Sequence, residues 1–364
     1  MRTLKLPAAA SAFERGVAHG RALAPEIREI AAIRSELAQQ QGLFRSDAEL
    51  MDVAARHLPV LEAFDASLYQ ELLGIAEGAG VPPARVVVLN HYTDLKDLDP
   101  TTVLGGSRRE VDRDDECSAI VAGTPEGGLL GQTWDMHGSA APYVVMLHVP
   151  ELDARPACWM LSIAGCLGMT GLNATGVGIT INNLKSQDAR VGIVWPALVR
   201  RALAERTAEA ARDVVLGAPL GSGHHYLVAD ARRAYGIETS GRLTEVWAEA
   251  DLSVAGTGFH HENHCLGTEV AKVSSIGATS TTLERFAWID GSMRARPIEG
   301  RDDLWARLGS HEGYPRSVCT HLASEAQPHA MLTCGGVVMN LRERRIWGAS
   351  GCIHGVAPEP FAFE

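Results

Sequence analysis

The sequence predicts an α+β fold in which antiparallel sheets are covered by helices. Apolar residues recur at steps of three and four through the first ~110 residues, the spacing of helix faces. After Cys117, short apolar runs joined by Gly- and Pro-containing turns take over, the pattern of hairpins. Helix pairs interrupt those runs, a succession that layered sheets and helices produce.

In chain order, Leu23, Ile27, Ile30, Ile33 and Leu37 mark one helix face. Ala54, Leu58, Leu61, Phe64, Leu68, Leu72 and Ile75 mark a second helix, with Pro59 in a first turn. Gly78-Ala79-Gly80-Val81-Pro82-Pro83 ends it, because glycine permits a left-handed exit and proline cannot continue a helix. Ala84–Leu95 reads as a further short helix. The polar stretch Asp97–Glu116, with Pro100, Gly105 and Gly106, reads as a linker.

Cys117–Ala122 and Leu129–Trp134 form a hairpin across Thr124-Pro125-Glu126-Gly127-Gly128. Tyr143–Val149, Trp159–Ile163 and Val177–Asn182 are further strands, and Ile193–Leu216 is helical. Leu227–Asp230 and Tyr235–Thr239 pair as a second hairpin, followed by strands over Arg242–Ala248 and Leu252–Thr257. Thr281–Ile289 and Arg301–Leu308 are helical. Val337–Leu341 and Arg345–Ala349 close the chain with a late hairpin.

The 364 residues suffice for one large domain or two smaller ones. A charged fraction of 21% and a hydrophobic fraction of 46% are those of a globular protein. The net charge of −11 argues against nucleic acid or an anionic membrane as the main partner, since both attract basic surfaces. The start of the chain lacks the apolar core of a signal peptide, and the expected location is the cytoplasm. Seven cysteines at scattered spacings, without C-x-x-C, fit free thiols better than a disulfide framework or a zinc site.

Several motifs fail. His260-His261-Glu262-Asn263-His264-Cys265 lacks zincin spacing, because His261 and His264 are three apart, not four. In Gly168–Gly178, Gly176 is followed by Val177 where a phosphate loop carries lysine. No G-x-S-x-G elbow is present. No metal and no cofactor is therefore expected.

The stretch Asp112-Arg113-Asp114-Asp115-Glu116-Cys117-Ser118-Ala119 remains. Its charged run stops at a cysteine and a small-residue strand begins at once. By itself this fits a loop entering a strand with Cys117 as a buried core thiol. It also fits a nucleophile that becomes an N-terminus when the chain cuts itself at Glu116–Cys117.

Asp115-Glu116-Cys117-Ser118-Ala119 followed by Gly131-Gln132-Thr133-Trp134-Asp135 resembles the autoproteolytic acyltransferases of the isopenicillin N acyltransferase type, which belong to the N-terminal nucleophile hydrolases. Similar stretches are Phe13–Gly20, Glu71–Gly78, Ala164–Gly168 with Gly171–Val177, Asn263–Leu266 and Tyr314–Cys319. The resemblance implies a four-layered αββα fold with a helical N-terminal segment. It implies cleavage into residues 1–116 and 117–364, which together form one domain. It also implies acyl cleavage or transfer at an amide bond through a Cys117 thioester. Expected partners are a small-molecule N-acyl amide or acyl thioester and the other half of the cut chain, with a homo-oligomer also possible. A hydrolase that never uses coenzyme A, and an inactive ligand-binding relative, are the alternatives.

By the same resemblance Asp135 orients the Cys117 amine and Asn263 donates its side-chain amide to the oxyanion. Asn182 corresponds more loosely, and His264 reads as structural. Two positions depart from the family pattern. Glu116 stands where glycine is common, and Thr320 follows Ser317-Val318-Cys319 where the fungal enzymes carry arginine. Arg316 is the candidate to replace that charge.

Overall fold

The computed structural model describes residues 1–8, 11–40, 44–98 and 116–363. Seven helices fill the described N-terminal residues: α1 (Ala12–Ala22), α2 (Ala24–Gln40), α3 (Asp47–Ala55), α4 (Leu58–Phe64), α5 (Ala66–Ala79), α6 (Pro83–Asn90) and α7 (Tyr92–Asp97). The apolar pattern from Ala54 to Ile75, expected as one helix, is split into three. Pro59 sits in the first turn of α4, where its missing N–H costs nothing, and Asp65 caps α5 by accepting the Leu68 amide at 3.0 Å. Gly80, with φ of 68°, ends α5 in the left-handed region as expected. The helix expected over Ala84–Leu95 is broken at His91 into α6 and α7. Most of the expected linker, residues 99–115, lies outside the described residues.

Two of the motif stretches pack these helices face to face. Gly16 of α1 and Gly74 of α5 meet so closely that a Cβ on Gly16 would stand 2.0 Å from the Glu71 carbonyl oxygen, and one on Gly74 2.0 Å from that of Phe13. Only glycine permits this backbone approach. Asn90 and His19 then bind the Ala164–Gly168 loop: Asn90 donates to Gly165 O at 2.9 Å, and the Gly165 amide donates to His19 Nε2 at 3.0 Å. These stretches therefore dock the helical segment.

The remaining chain builds two sheets. In the nine-stranded sheet the order is β1 (Thr3–Lys5), β4 (Val144–Val149), β5 (Cys158–Ile163), β6 (Thr170–Asn173), β7 (Gly178–Ser186), β8 (Gly223–Ala229), β9 (Arg233–Thr239) and β10 (Thr244–Asp251). The short β12 (Ser274–Ser275) pairs with β7. The six-stranded sheet runs β11 (Gly258–His261), β2 (Glu116–Thr124), β3 (Gly127–His137), β13 (Met331–Asn340), β14 (Arg345–Ser350) and β15 (Glu359–Ala362). Pairing is antiparallel except between β1 and β4.

Strand alternation assigns the layers. Cys117, Ala119, Val121, Leu130 and Trp134 face the core shared with the nine-stranded sheet. Their neighbours Ile120, Ala122 and Leu129 instead join Ile289, Leu304 and Leu308 of α10 (Thr282–Ala295) and α11 (Arg301–Leu308). On the far side, α8 (Trp195–Ala202) and α9 (Ala208–Leu216) follow β7, and α9 packs on β8 and β9. The order is helix, sheet, sheet, helix, the αββα arrangement expected.

Two further expectations are corrected. Ile193–Leu216 holds two helices, because Thr207 starts α9 afresh by accepting the Ala210 amide. The strand expected over Leu252–Thr257 is a turn, with Gly256 at φ of 88°. β1, β6, β12 and β15 are too short to have shown in the sequence. Among the described residues no single helix is long and apolar enough to cross a membrane.

Candidate active site

Cys117 lies at the start of β2, paired in register with Trp134 of β3. In an antiparallel strand the N–H and C=O of one residue point to the same neighbour. β11 pairs with β2 only as far as His261 opposite Ala119, so it has ended before Cys117. The amide and carbonyl of Cys117 are buried and must find partners elsewhere. Side chains supply them.

The Cys117 N–H donates to Asn263 Oδ1 at 2.7 Å, and Asn263 is the residue that continues β11 to this level. The Cys117 carbonyl accepts from Asn182 Nδ2 at 3.0 Å and from Arg285 Nη1 at 2.8 Å. Asn182 belongs to β7 across the sandwich, and Nδ1 of His225 lies 3.0 Å from its Oδ1, which fixes the amide's orientation. Arg285 comes from α10 on the opposite face. Its guanidinium also donates to Ser118 Oγ at 2.8 Å and to Asn263 Oδ1 at 3.0 Å. Two of the residues sought from sequence, Asn182 and Asn263, thus both hold the backbone of a third, Cys117.

Asn263 holds Cys117 through its oxygen. Its Nδ2 donates to Asn183 O at 2.9 Å, so in the intact chain one amide hydrogen is committed there. Asp135 pairs in register with Glu116, and its carboxylate accepts from Thr333 Oγ1 at 2.7 Å and Thr133 Oγ1 at 3.4 Å. Burial pushes its pKa up to about 7, against the opposing pull of Arg285. The Cys117 thiol is itself held well above its ordinary range, first by burial and then by Asp135. Gln132, in the same strand as Asp135, accepts from the Ile181 amide at 3.2 Å and donates to the Ile181 carbonyl, tying the two sheets together beside Cys117.

Glu116 has a built socket. Its carboxylate accepts from Ser280 Oγ at 2.7 Å, from the Thr281 amide at 2.6 Å and from the Thr281 hydroxyl, and pairs with Arg285 at 3.4 Å. The departure from glycine is therefore matched by a buried cation. Sequence reading missed that cation: Arg285 sits in Thr-Leu-Glu-Arg-Phe, where nothing separates it from a solvated helix arginine. Arg316, the candidate for the missing charge, lies half-exposed on Glu284 at 2.9 Å and donates to Ser280 O at 3.0 Å, whereas the cation that touches Cys117 is Arg285.

The His-rich patch is used structurally. His261 Nε2 lies 2.8 Å from Glu238 Oε1, His260 Nδ1 3.2 Å from Glu262 Oε1, and His264 Nδ1 2.9 Å from Thr282 Oγ1.

Residues 123–347 match the model of a family described as AAT, acyl-coenzyme A:6-aminopenicillanic acid acyl-transferase. A relative from Emericella nidulans, the acyl-coenzyme A:6-aminopenicillanic-acid-acyltransferase 40 kDa form, is 25% identical over 310 residues, or 84% of this chain and 81% of the relative. Among solved structures, a mutant conjugated bile acid hydrolase from Clostridium perfringens superposes with a TM-score of 0.44 and 10% identity, over 68% of this chain and 97% of that one. Penicillin V acylase from Agrobacterium tumefaciens gives 0.37 and 12%, over 67% and 84%.

Proposed function

The chain belongs to the acyl-coenzyme A:6-aminopenicillanic acid acyl-transferase family, and from that premise we propose that Cys117 is the nucleophile of a self-processing enzyme. Enzymes of this kind cleave or transfer an acyl group at an amide bond. The single observation that carries the finer reading is the socket around the Glu116–Cys117 peptide. Its nitrogen is held by Asn263 Oδ1, and the carbonyl that follows is held by Asn182 and Arg285.

In maturation, Cys117 Sγ attacks the Glu116 carbonyl carbon, the C–N bond breaks, and the nitrogen leaves as an amine that takes the thiol proton. Water then hydrolyses the thioester, leaving Glu116 as a carboxylate terminus. Residues 1–116 and 117–364 remain one folded unit. Glu71 of α5 holds Arg200 of α8 at 2.7 Å and Arg15 of α1 at 3.3 Å, a buried bridge that spans the cut. The new α-amine, with an ordinary pKa of about 7.7–8.0, serves as the base for its own thiol. Asn263 Oδ1 orients that amine as it had held the amide. Arg285 nearby disfavours the ammonium form and so keeps the base free.

In turnover the thiolate attacks the substrate's acyl carbon and the amine returns the proton to the leaving group. Water, or a nucleophile such as an amine, then accepts the acyl group from sulfur. We assign Asp135 to the mature amine's surroundings, as its ionised partner above the carboxyl's raised pKa. The substrates that suit this chemistry are small N-acyl amides or acyl thioesters.

Intact mass spectrometry of the purified protein tests the proposal. Fragments ending at Glu116 and beginning at Cys117 are expected. A permanently full-length chain with normal amidase activity would overturn self-processing.

A further inference from the structure

Away from Cys117, four metal-binding side chains converge from segments that the sequence keeps apart. His311 follows α11, Cys319 and His321 lie further along that loop, and Cys352 follows β14. Their ligand atoms all lie within 4.8 Å of one another. Cys319 Sγ is 3.7 Å from Cys352 Sγ, Cys319 Sγ is 3.6 Å from His321 Nε2, and Cys352 Sγ is 3.5 Å from His311 Nε2.

The three shorter separations match the edges of a tetrahedral zinc site. With zinc–sulfur bonds of about 2.3 Å and zinc–nitrogen bonds of about 2.0–2.1 Å, a tetrahedral angle sets two sulfurs roughly 3.8 Å apart and a sulfur and nitrogen roughly 3.5–3.6 Å apart. A disulfide requires far less, about 2.05 Å between sulfurs. The surroundings hold the ligands in place. His354 stacks on His311 with centroids 4.0 Å apart, and its Nδ1 donates to Gly309 O at 2.7 Å. The Cys319 amide donates to Ser310 O, and the His321 amide to Pro315 O.

We propose that His311, Cys319, His321 and Cys352 bind one zinc-like divalent cation in a tetrahedral Cys2His2 site. Binding exchanges two thiol protons for the cation, and four protein ligands leave no open position, so the site is structural in kind. It clamps the loop after α11 to the segment after β14. Thr320, between two of the ligands, donates its amide to Thr333 Oγ1 at 2.8 Å, and that hydroxyl donates to Asp135 Oδ1 at 2.7 Å. The clamp thus fixes the loop that supports Asp135. Sequence spacing hides the site, because the ligands follow no short repeat and Cys352 joins from another strand end.

The test uses the untagged full chain purified under reducing conditions without chelator. Elemental analysis should find about one zinc per chain, and exchange with cobalt(II) should produce thiolate charge-transfer bands with the d–d bands of tetrahedral cobalt. Cys352→Ser and His311→Ala should each lose the bound metal, whereas Cys265→Ser, a thiol outside the cluster, should keep it. The cobalt titration of the unmodified chain needs no variant to fold. Failure of that chain to take up cobalt(II) with a thiolate band would overturn the site. So would a Cys319–Cys352 disulfide found in the metal-supplied, unreduced protein by peptide mapping.

Discussion

The guanidinium of Arg285 stands 2.8 Å from the carbonyl oxygen of Cys117, and the same group pairs with Glu116 at 3.4 Å. One buried cation therefore touches both residues of the peptide bond proposed for cleavage. Arg285 is 1% exposed, so its charge is held by Glu116 and the surrounding acceptors and gains little from water. Such an arrangement is costly to half-dismantle. Removing one member of a buried pair typically costs ~3–5 kcal/mol, since the other charge is left without compensation.

Arg285→Met should accordingly destabilise the chain by ~3–5 kcal/mol in urea denaturation. The double variant Arg285→Met, Glu116→Gln should recover part of that loss, because both charges leave together. The comparison is a double-mutant cycle read on a background that cannot cut itself. Additive losses in the two single variants would mean that the ion pair does not couple them.

Cys117→Ala should leave a folded, uncleaved chain without acyl-transfer or amidase activity. The alanine fits because Cys117 is only 5% exposed and its methylene already packs in the core between the sheets. Retained turnover would move the nucleophile elsewhere. Cys265 would be the first suspect, yet burial and Glu238 push its thiol up to about 12, which starves it of thiolate near neutral pH.

The strands were legible from short apolar runs between turns and the N-terminal helix faces from three- and four-step spacing, whereas the stacking of two sheets came from the family resemblance. Helix breaks were not: Asp65 interrupts an apolar pattern that runs through it unchanged, because its capping bond to Leu68 needs only local geometry. Cys117 stood out through its position between a charged run and a strand. Arg285 did not, because its importance comes from a partner 169 positions earlier in the chain, Glu116, and only the fold brings them together. His311 and Cys352 were hidden for the same reason.

Asn263→Ala should slow thioester formation by ~10²–10³-fold on matured enzyme, with substrate affinity little changed, if its amide meets charge that develops only in the transition state. The intact chain adds a second expectation. Because Oδ1 already holds the Cys117 N–H at 2.7 Å, self-cleavage should slow as well. Rapid-mixing measurement of acylation, set beside the time course of fragment appearance, separates the two effects. Normal rates in both would reduce Asn263 to a plug for the unpaired end of β2.

The final prediction concerns pH. Asp97 ends α7 and accepts from the Ser186 amide at 2.9 Å and the Ser222 hydroxyl at 2.7 Å, and burial pushes its pKa from 3.8 up to about 7. An acid raised on folding binds its proton more tightly in the native state, so its stability contribution is complete below about pH 4 and is lost as pH climbs towards 7. At one pKa unit per ~1.4 kcal/mol the full shift corresponds to at most about 4.5 kcal/mol. Asp135 loses stability over the same window, while the buried His19 and His91, held near 4 and 3, gain it as pH rises towards 6.5. The effect must therefore be read as a difference between Asp97→Asn and its parent, both carrying Cys117→Ala so that one uncut chain unfolds. Asparagine keeps an acceptor oxygen for Ser186 and Ser222 but has no charge to bury. Urea denaturation at pH 5 and pH 8 should show the two proteins closer in stability at the lower pH and Asp97→Asn ahead at the higher. An equal gap at both would show that Asp97 does not titrate between them.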